Sequence, residues 1–513
     1  MTAEEILERD FGTLPDLIRA HADARGSHPA LIEGGRTLTY RDLDRQVDRA
    51  AAALQRDGVS QGQAVAIMAA NSIDYVIVYI AALRVGAVPA LIAPSSSADS
   101  ALRMMRDAGS SLLFADGAAA AQLPPGAIRP IGIGAAAEAP LLQDWMAPED
   151  VVPAPAAIAP GDAFNIIYSS GTTGEPKGIV QSHRMRWHHI WRGRLTGYAP
   201  DAVTLISTPL YSNTTLVSLI PALSYGGSVV IMPRFDARRF LELAEKHRVT
   251  HAMLVPVQYR RLLADPAFDR FDLSAFRMKT CTSAPFGAAL KAEVLQRWPG
   301  GLIDIYGMTE GGGTMTLVAH LYPDKLHTVG KPVDGHDVRL IDDDGVEVPP
   351  GGTGEVVGRS IAMMTHYHNQ PAKSRDAEWH DPQGNRFIRT GDVGRFDKDG
   401  FLTLVDRKKD MIISGGFNIY PSDLEAVIAT HPAVADCTVI GVESDQWGET
   451  PVGFYVARDA TPAEEILAWT NARLGKTQRL SALHPIDELP RSAIGKVLKR
   501  ELRDRIAAAR QAA

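Results

Sequence analysis

The chain has 513 residues, 45% hydrophobic and 22% charged, with a formal net charge of −7 at pH 7. That length allows roughly two to four packed domains or subdomains. The composition is that of an ordinary globular protein, and a mildly acidic whole offers no basic face for nucleic acid. Two cysteines, Cys281 and Cys437, are too few and too far apart for a disulfide framework or a zinc site, which fits a reducing compartment.

MTAEEILERDFG carries four acids ahead of any apolar run, unlike a signal or transit peptide. From Leu38 a helix is expected, N-capped by Thr39 or Asp42, with Leu43, Val47, Ala51 and Leu54 on its apolar face. AVAIMAA follows as a strand, and Asn71 and Ser72 cap the helix SIDYVIVYIAALRVG. AVPALIA, SADSALRMMRDAG and SLLFAD continue as strand, helix and strand. The apolar run from Tyr75 is interrupted by Arg84, Gly86 and Pro89, so it reads as helix plus buried strand rather than a membrane span. Strands alternating with helices in this way predict layered α/β architecture around parallel sheets. The Pro/Ala-rich residues 147–160 read as a connector.

NII and then YSSGTTGEPKG, Tyr168 to Gly178, form a strand end running into a glycine- and hydroxyl-rich loop. Ser169, Ser170, Gly171, Thr172, Thr173 and Gly174 offer backbone and hydroxyl donors, and Lys177 adds a compact cation, together the outline of a polyphosphate cradle. It is not a Walker A loop, because Pro176 stands where that motif needs glycine. IVQSHRMRWHHI is expected to lead into a helix. VTLISTPL, GSVVIMP, the strand after FDARRFLELAEKHR, MKTCTSAPFG and GGLIDIYGMTEGGG renew the α/β rhythm. Beyond about residue 335, DVRLIDDDGVEVPPGGTGEVVGRS alternates short strands with turns, as in a small β-barrel. From Met411 the texture is that of a small α+β domain of about one hundred residues.

The eleven residues from Tyr168 resemble the phosphate loop of the adenylate-forming superfamily, which contains acyl-CoA synthetases, adenylation domains of peptide synthetases and beetle luciferases. DIYGMTE, Asp304 to Glu310, resembles its Y-G-x-T-E motif. The resemblance implies ATP contacts from Asp304, Ile305, Tyr306, Gly307, Met308 and Thr309, with Glu310 as the Mg²⁺ ligand and Thr309 and Glu310 in the catalytic set. TSAPFG resembles the loop bordering adenine, through Ser283, Ala284 and Pro285, although many members carry Gly-Gly at Thr282-Ser283. FIRTGDVG resembles the family's T-G-D motif, which implies Asp392 as the acceptor for the ribose hydroxyls. DRKKDMIISGGFNIYP resembles the family's interdomain segment, which implies Arg407 for ribose or phosphate, Lys409 as hinge, and Ser414, Gly415 and Gly416 for the CoA arm; Trp447 of DQWGE lies beside that arm or in the core. LPRSAIGKVLKREL resembles the family's C-terminal lysine motif, which implies Lys496 as the catalytic lysine, with Ile494 where a small hydroxyl is usual.

The implied fold is a large N-terminal domain, residues 1–408, of layered α/β sheets plus a β-barrel-like part, carrying the ATP and acyl sites. A small α+β lid, residues 409–513, is mobile. The implied reaction is AMP-forming ligation of a carboxylic acid to CoA, using ATP and Mg²⁺. The expected partners are the acid, ATP and CoA, with a carrier protein as the alternative acceptor, a homodimer allowed, no nucleic acid and no integral membrane segment, in the cytoplasm. The expected acyl pocket uses Tyr211, Ser212, Asn213, Gly307 and Met308. No charged residue lies between Pro209 and Gly226, so an uncharged tail is expected: a medium-chain fatty acid or an aromatic or alicyclic acid. Ser212, Asn213, Thr214 and Thr215 either hydrogen-bond that tail or cap a helix.

Overall fold

The computed structural model describes residues 1–512 apart from 135–139, 170–176, 408–409, 415–416, 445–446, 476–477 and 493–494. At 169, 406, 407, 417, 418 and 510–512 it describes the backbone. Packing divides the chain into two compact units. The first holds Met1–Leu326, Pro332–Asp337 and Gly358–Ile388; the second holds His327–Lys331, Val338–Val357 and Arg389–Ala513.

Two sheets organise the first unit. In the larger, Gly301–Tyr306, Met278–Cys281, His251–Leu254, Val203–Ile206, Ser228–Ile231 and Pro29–Glu33 lie side by side, all parallel. The hairpin strand Arg36–Thr39 edges it on one side and Met315–Val318 pairs antiparallel on the other. In the second sheet Ala163–Ser169, Val88–Leu91, Ala64–Met68, Leu113–Ala115 and Ile131–Gly132 are parallel. Strands such as Ala64–Met68 and Val88–Leu91 are buried throughout, as expected where helices cover a sheet.

Two capping expectations resolve differently. Thr39 and Asp42 act together as a capping box for the helix Tyr40–Arg56. Ser72 caps the helix Ile73–Arg84. Asn71 does not: its buried carboxamide donates to Thr208 O (2.9 Å) and Met232 O (3.1 Å) and accepts from Leu210 N (2.8 Å). A carboxamide can donate to two carbonyls while accepting from an amide, where a hydroxyl has one proton to give, so Asn71 ties the end of one sheet to the loop leaving the other.

The run IVQSHRMRWHHI does lead into a helix, after a further strand that follows the glycine-rich loop. Lys177–Ser182 is a strand, antiparallel to Ala163–Ser169, and the helix begins only at His183. β-branched Ile179 and Val180, both buried, favour the extended state there. The stretch 170–176 therefore joins two paired strands.

The second unit has a sheet built on the strands Val434–Ser444 and Gly448–Ala457, flanked by Ile412–Ser414, Phe417–Ile419 and Ala482–Pro485. Its core gathers Ile412, Leu424, Ile428, Val439 and Ile466. The strands Asp337–Ile341, Thr353–Arg359, Arg386–Phe396 and Leu402–Arg407 belong to a further five-stranded sheet. No helix among the described residues is long and apolar enough to cross a membrane.

Candidate active site

Parallel strands deliver their following loops to one edge of the sheet, where open α/β folds bind ligands. Val203–Ile206, Met278–Cys281 and Gly301–Tyr306 run in one direction. Three expected site segments therefore leave the same edge: 207–213, 282–287 and 307–313.

In the first segment the hydroxyls are engaged within the protein. Ser212 Oγ accepts from Thr214 N (3.3 Å) as the N-cap of Asn213–Ser224. Thr215 Oγ1 donates to Pro209 O (2.6 Å), and Thr214 Oγ1 lies 2.6 Å from Ser283 Oγ. Tyr211 and Asn213 are half-buried. Ser283 has φ +79°, a left-handed conformation rare for a side-chain-bearing residue. Glycine would adopt that conformation without strain; the hydroxyl contact with Thr214 helps hold serine there. Ala284 is half-buried and Pro285 exposed.

Asp304 is buried, and its carboxylate forms an ion pair with Lys291 Nζ at 2.7 Å, the two side chains 7% and 2% exposed. Burial pushes the Asp304 carboxyl up, and the Lys291 ammonium opposes that shift. Its neighbours Ile305, Tyr306 and Met308 are half-buried, and Gly307 is exposed. A Cβ on Gly307 would meet only Thr314 Oγ1 at 3.6 Å and Cγ2 at 3.8 Å, so the surface there is open.

One contact joins two separate motifs. Tyr367, on the strand His366–Tyr367 that pairs with Lys177–Ser182, donates its hydroxyl to Glu310 Oε1 at 2.8 Å. Lys177 Nζ stands 5.0 Å from the centre of the Tyr367 ring. Burial and the Glu310 carboxylate raise the Tyr367 hydroxyl well above its ordinary range, keeping it a donor. The backbone holds Glu310 as well, through Met364 N to Glu310 O at 2.7 Å. The lysine of one motif and the carboxylate of the other thus face one phenol. Tyr168, by contrast, is an anchor: its hydroxyl reaches Met104 O (2.9 Å) and Asp107 Oδ2 (2.8 Å).

Behind this arrangement lies a polar network that motif reading missed. Gln181 Nε2 donates to Thr309 O at 2.7 Å and to Asn213 Oδ1 at 3.4 Å. Gln181 Oε1 accepts from Arg186 and from Asn165 Nδ2. Arg186 is fully buried, and its remaining contacts are to Asn165 Oδ1 and His189 Nδ1, all neutral. Desolvation lowers its guanidinium to about 10. The one sequence signal was Gln181 itself, a polar residue directly after the apolar pair Ile179-Val180.

In the second unit, Asp392 and Arg407 stand opposite each other on paired antiparallel strands. Thr390 Oγ1 receives Asp392 N (3.0 Å) and donates to Val356 O (2.8 Å), fixing the T-G-D turn. Ser414 pairs with Gly448, which brings it beside Trp447, 51% exposed. Lys496 is exposed on a tight turn: Ser492 N bonds Lys496 O (2.8 Å), and Lys496 N bonds Ser492 Oγ (3.2 Å). Arg491 braces that turn by donating to Gly495 O (2.7 Å) and to Asp436 Oδ2 (2.6 Å). Ser170, Gly171, Thr172, Thr173, Gly174, Lys409, Gly415 and Gly416 lie outside the described residues, as does the expected boundary at 408/409; Ser169 and Arg407 are placed by backbone only.

A family model described as AMP-binding enzyme matches residues 18–368, and a second, described as AMP-binding enzyme C-terminal domain, matches residues 423–496. The chain belongs to the AMP-binding enzymes. It is 33% identical over 521 residues to 4-coumarate–CoA ligase-like 9 of Oryza sativa subsp. japonica, covering 96% of this chain and 93% of that one. It is 31% identical to the fatty acid–[acyl-carrier-protein] ligase ScoC of Streptomyces coeruleorubidus, covering 96% of each. Among solved structures, o-succinylbenzoate CoA synthetase of Bacillus subtilis with its acyl-adenylate matches with TM-score 0.83 and 27% identity, over 96% of this chain and 98% of that one.

This AMP-binding enzyme is thus a member of a family of AMP-forming acid–thiol ligases whose substrates include ATP and CoA and whose structures hold Mg²⁺. Its donor set fits a magnesium nucleotide. Glu310 uses Oε1 toward Tyr367, which leaves a hard carboxylate oxygen, Oε2, with no protein partner among the described residues. Lys177 sits near that carboxylate through the shared phenol and has no acidic partner among them.

Proposed function

We propose that this AMP-binding enzyme joins a medium-chain fatty, aromatic or alicyclic carboxylic acid to CoA through an acyl-adenylate. In the first step the substrate carboxylate attacks the α-phosphate of ATP and pyrophosphate leaves. In the second the CoA thiol attacks the acyl carbon and AMP leaves, the thiol proton passing to solvent. Lys177 and the loop before it hold the β- and γ-phosphates, and Thr309 positions the α-phosphate. Mg²⁺ would be held by Glu310 and would neutralise phosphate charge. Asp392 and Arg407 grip the ribose. Lys496 supplies a preorganised cation to the reacting carboxylate and α-phosphate, and Ser414 with Trp447 receives the pantetheine arm. Lys409 serves as the hinge of the C-terminal lid, which serves each half-reaction in turn. The observation that carries the reading is the meeting of Lys177 and Glu310 at Tyr367, two motifs about 130 residues apart.

The relationship to ScoC supports a second acceptor, the phosphopantetheine of a carrier protein. Incubation with ATP, Mg²⁺ and an acid panel, with CoA in one arm and holo carrier protein in the other, separates them. Acyl-CoA and AMP in the first arm support the main reading. Thioester in the carrier arm alone overturns it in favour of the second.

A further inference from the structure

Three segments of the candidate site meet on one side chain that belongs to no motif. Gln181 lies four residues beyond Lys177 on the strand Lys177–Ser182, and so on the same face of it. Its Nε2 donates to the carbonyl of Thr309, in the segment that follows the strand Gly301–Tyr306, at 2.7 Å. The same nitrogen reaches Asn213 Oδ1, at the start of the helix Asn213–Ser224, at 3.4 Å. Among the described residues no other group donates to the Thr309 carbonyl. Gln181 is fully buried, as are its neighbours Asn165 and Arg186.

Arg186 forces the direction of each bond. A guanidinium only donates, so the atoms of Gln181 and Asn165 that face it are their oxygens. It donates from Nη2 to Gln181 Oε1, and from Nε (3.3 Å) and Nη2 (3.2 Å) to Asn165 Oδ1. Asn165, directly opposite Gln181 on the paired strand Ala163–Ser169, then turns its Nδ2 to the same Oε1 at 3.2 Å. With Oε1 committed to these two donors, the N–H bonds of Gln181 face Thr309 and Asn213. The other groups around Arg186 are neutral: His189 Nδ1 at 3.4 Å from Nη1, and the Phe164 ring with its centre 5.8 Å from the guanidinium carbon. A cation buried among neutral groups is costly, and an apolar side chain would fill the same space at less cost. Orienting one carboxamide is what this arginine does that an apolar residue cannot.

We propose that Gln181 and Arg186 are positioning residues for adenylate formation. Arg186 sets the carboxamide of Gln181, and Gln181 fixes the Thr309 segment, which takes the α-phosphate, against Asn213 of the acyl pocket and the strand of Lys177. This rests on the acyl-adenylate reading above and adds to it two residues that touch no substrate. Because the network aligns reacting groups rather than binding them, its loss acts on kcat more than on KM.

The test uses the full chain with ATP, Mg²⁺ and whichever of octanoate, cinnamate and cyclohexanecarboxylate the parent activates fastest. Single-turnover adenylate formation is read beside steady-state kcat and KM for ATP. Gln181→Glu keeps the volume and gives Arg186 an ion pair but removes both N–H donors. Its kcat should fall about tenfold or more, the worth of one hydrogen bond, with KM for ATP changed less than about threefold and the thermal midpoint held. Arg186→Lys, which keeps one donor toward Oε1, should retain more of the rate than Arg186→Met. Gln181→Met combined with Arg186→Met leaves a neutral, filled interior, so its midpoint should return to that of the parent while its kcat stays low. A network that serves the fold alone predicts a rate that recovers with stability in this double variant. That result, or a Gln181→Glu enzyme as fast as the parent, would overturn the proposal and leave the adenylation reading standing. A set in which no variant folds assigns the network to the core and overturns it too. Absence of pyrophosphate exchange by the parent with all three acids would overturn the adenylation reading and this proposal with it.

Discussion

Replacing Lys291 with methionine should loosen the edge of the sheet that presents Tyr306 and Gly307. Lys291 and Asp304 are both nearly inaccessible, and their 2.7 Å contact is the ion pair that compensates the buried carboxylate. Lys291 also donates to Leu326 O at 3.0 Å and lies 5.7 Å from the centre of the Phe286 ring. Removing one member of a buried pair costs about 3–5 kcal/mol, because the remaining charge is neither solvated nor matched. Amide exchange in peptides covering Met278–Cys281 and Gly301–Tyr306 should therefore quicken by roughly two to four orders of magnitude if those amides exchange through the opening that exposes Asp304. The double variant Lys291→Met with Asp304→Leu restores a neutral, filled interior and should return to within about 1 kcal/mol of the parent. A single variant that changes exchange less than about fivefold, or a double variant as fast as the single, would refute the reasoning.

Tyr367→Phe removes the hydrogen bond to Glu310 but keeps the ring under Lys177; loss of a bond to a charged acceptor is worth about 1.5–3 kcal/mol, so the Mg²⁺-dependent KM for ATP should rise about tenfold or more in steady-state kinetics. Lys496→Ala should slow adenylate formation by about 10²–10³ while CoA attack on supplied acyl-adenylate stays nearly intact, and equal losses in the two half-reactions would remove the assigned role. Burial lowers His183 and His336 from 6.5 to about 4, so each is neutral when folded and takes up a proton on unfolding below pH 6.5. The unfolded state then binds more protons, and stability falls as pH drops from 6.5 toward 4, by roughly 2 kcal/mol per histidine at pH 5. Urea midpoints at pH 7 and pH 5 measure this, and replacing His336 with Phe should flatten the difference.

Alternating strand and helix patterns made the layered sheets legible, because buried parallel strands read as short apolar runs such as AVAIM and SVVI. The motif segments were legible for a related reason: turns at the ends of parallel strands concentrate glycine, proline and hydroxyls, as in TSAPFG and YGMTE. What hid was chemistry that looks like surface. HRMRWHH has the composition of a solvated helix, yet Arg186 is fully buried because Asn165, Gln181 and His189 satisfy its guanidinium. Lys279 is another such residue, its Nζ donating to the carbonyls of Trp298, Pro299 and Gly300 and pushed down to about 7 by burial. Tyr367 carries no motif at all; it meets Lys177 and Glu310 only because His366–Tyr367 pairs with the strand Lys177–Ser182. Long-range pairings of that kind leave no periodic trace in a single chain.

The central claim, activation of a carboxylate by adenylyl transfer, is tested most directly by exchange of labelled pyrophosphate into ATP without CoA. The account predicts exchange that requires both Mg²⁺ and an acid, and AMP rather than ADP as the nucleotide product once CoA is added. Acid-dependent formation of ADP and phosphate, or no exchange with any acid in the panel, would contradict it.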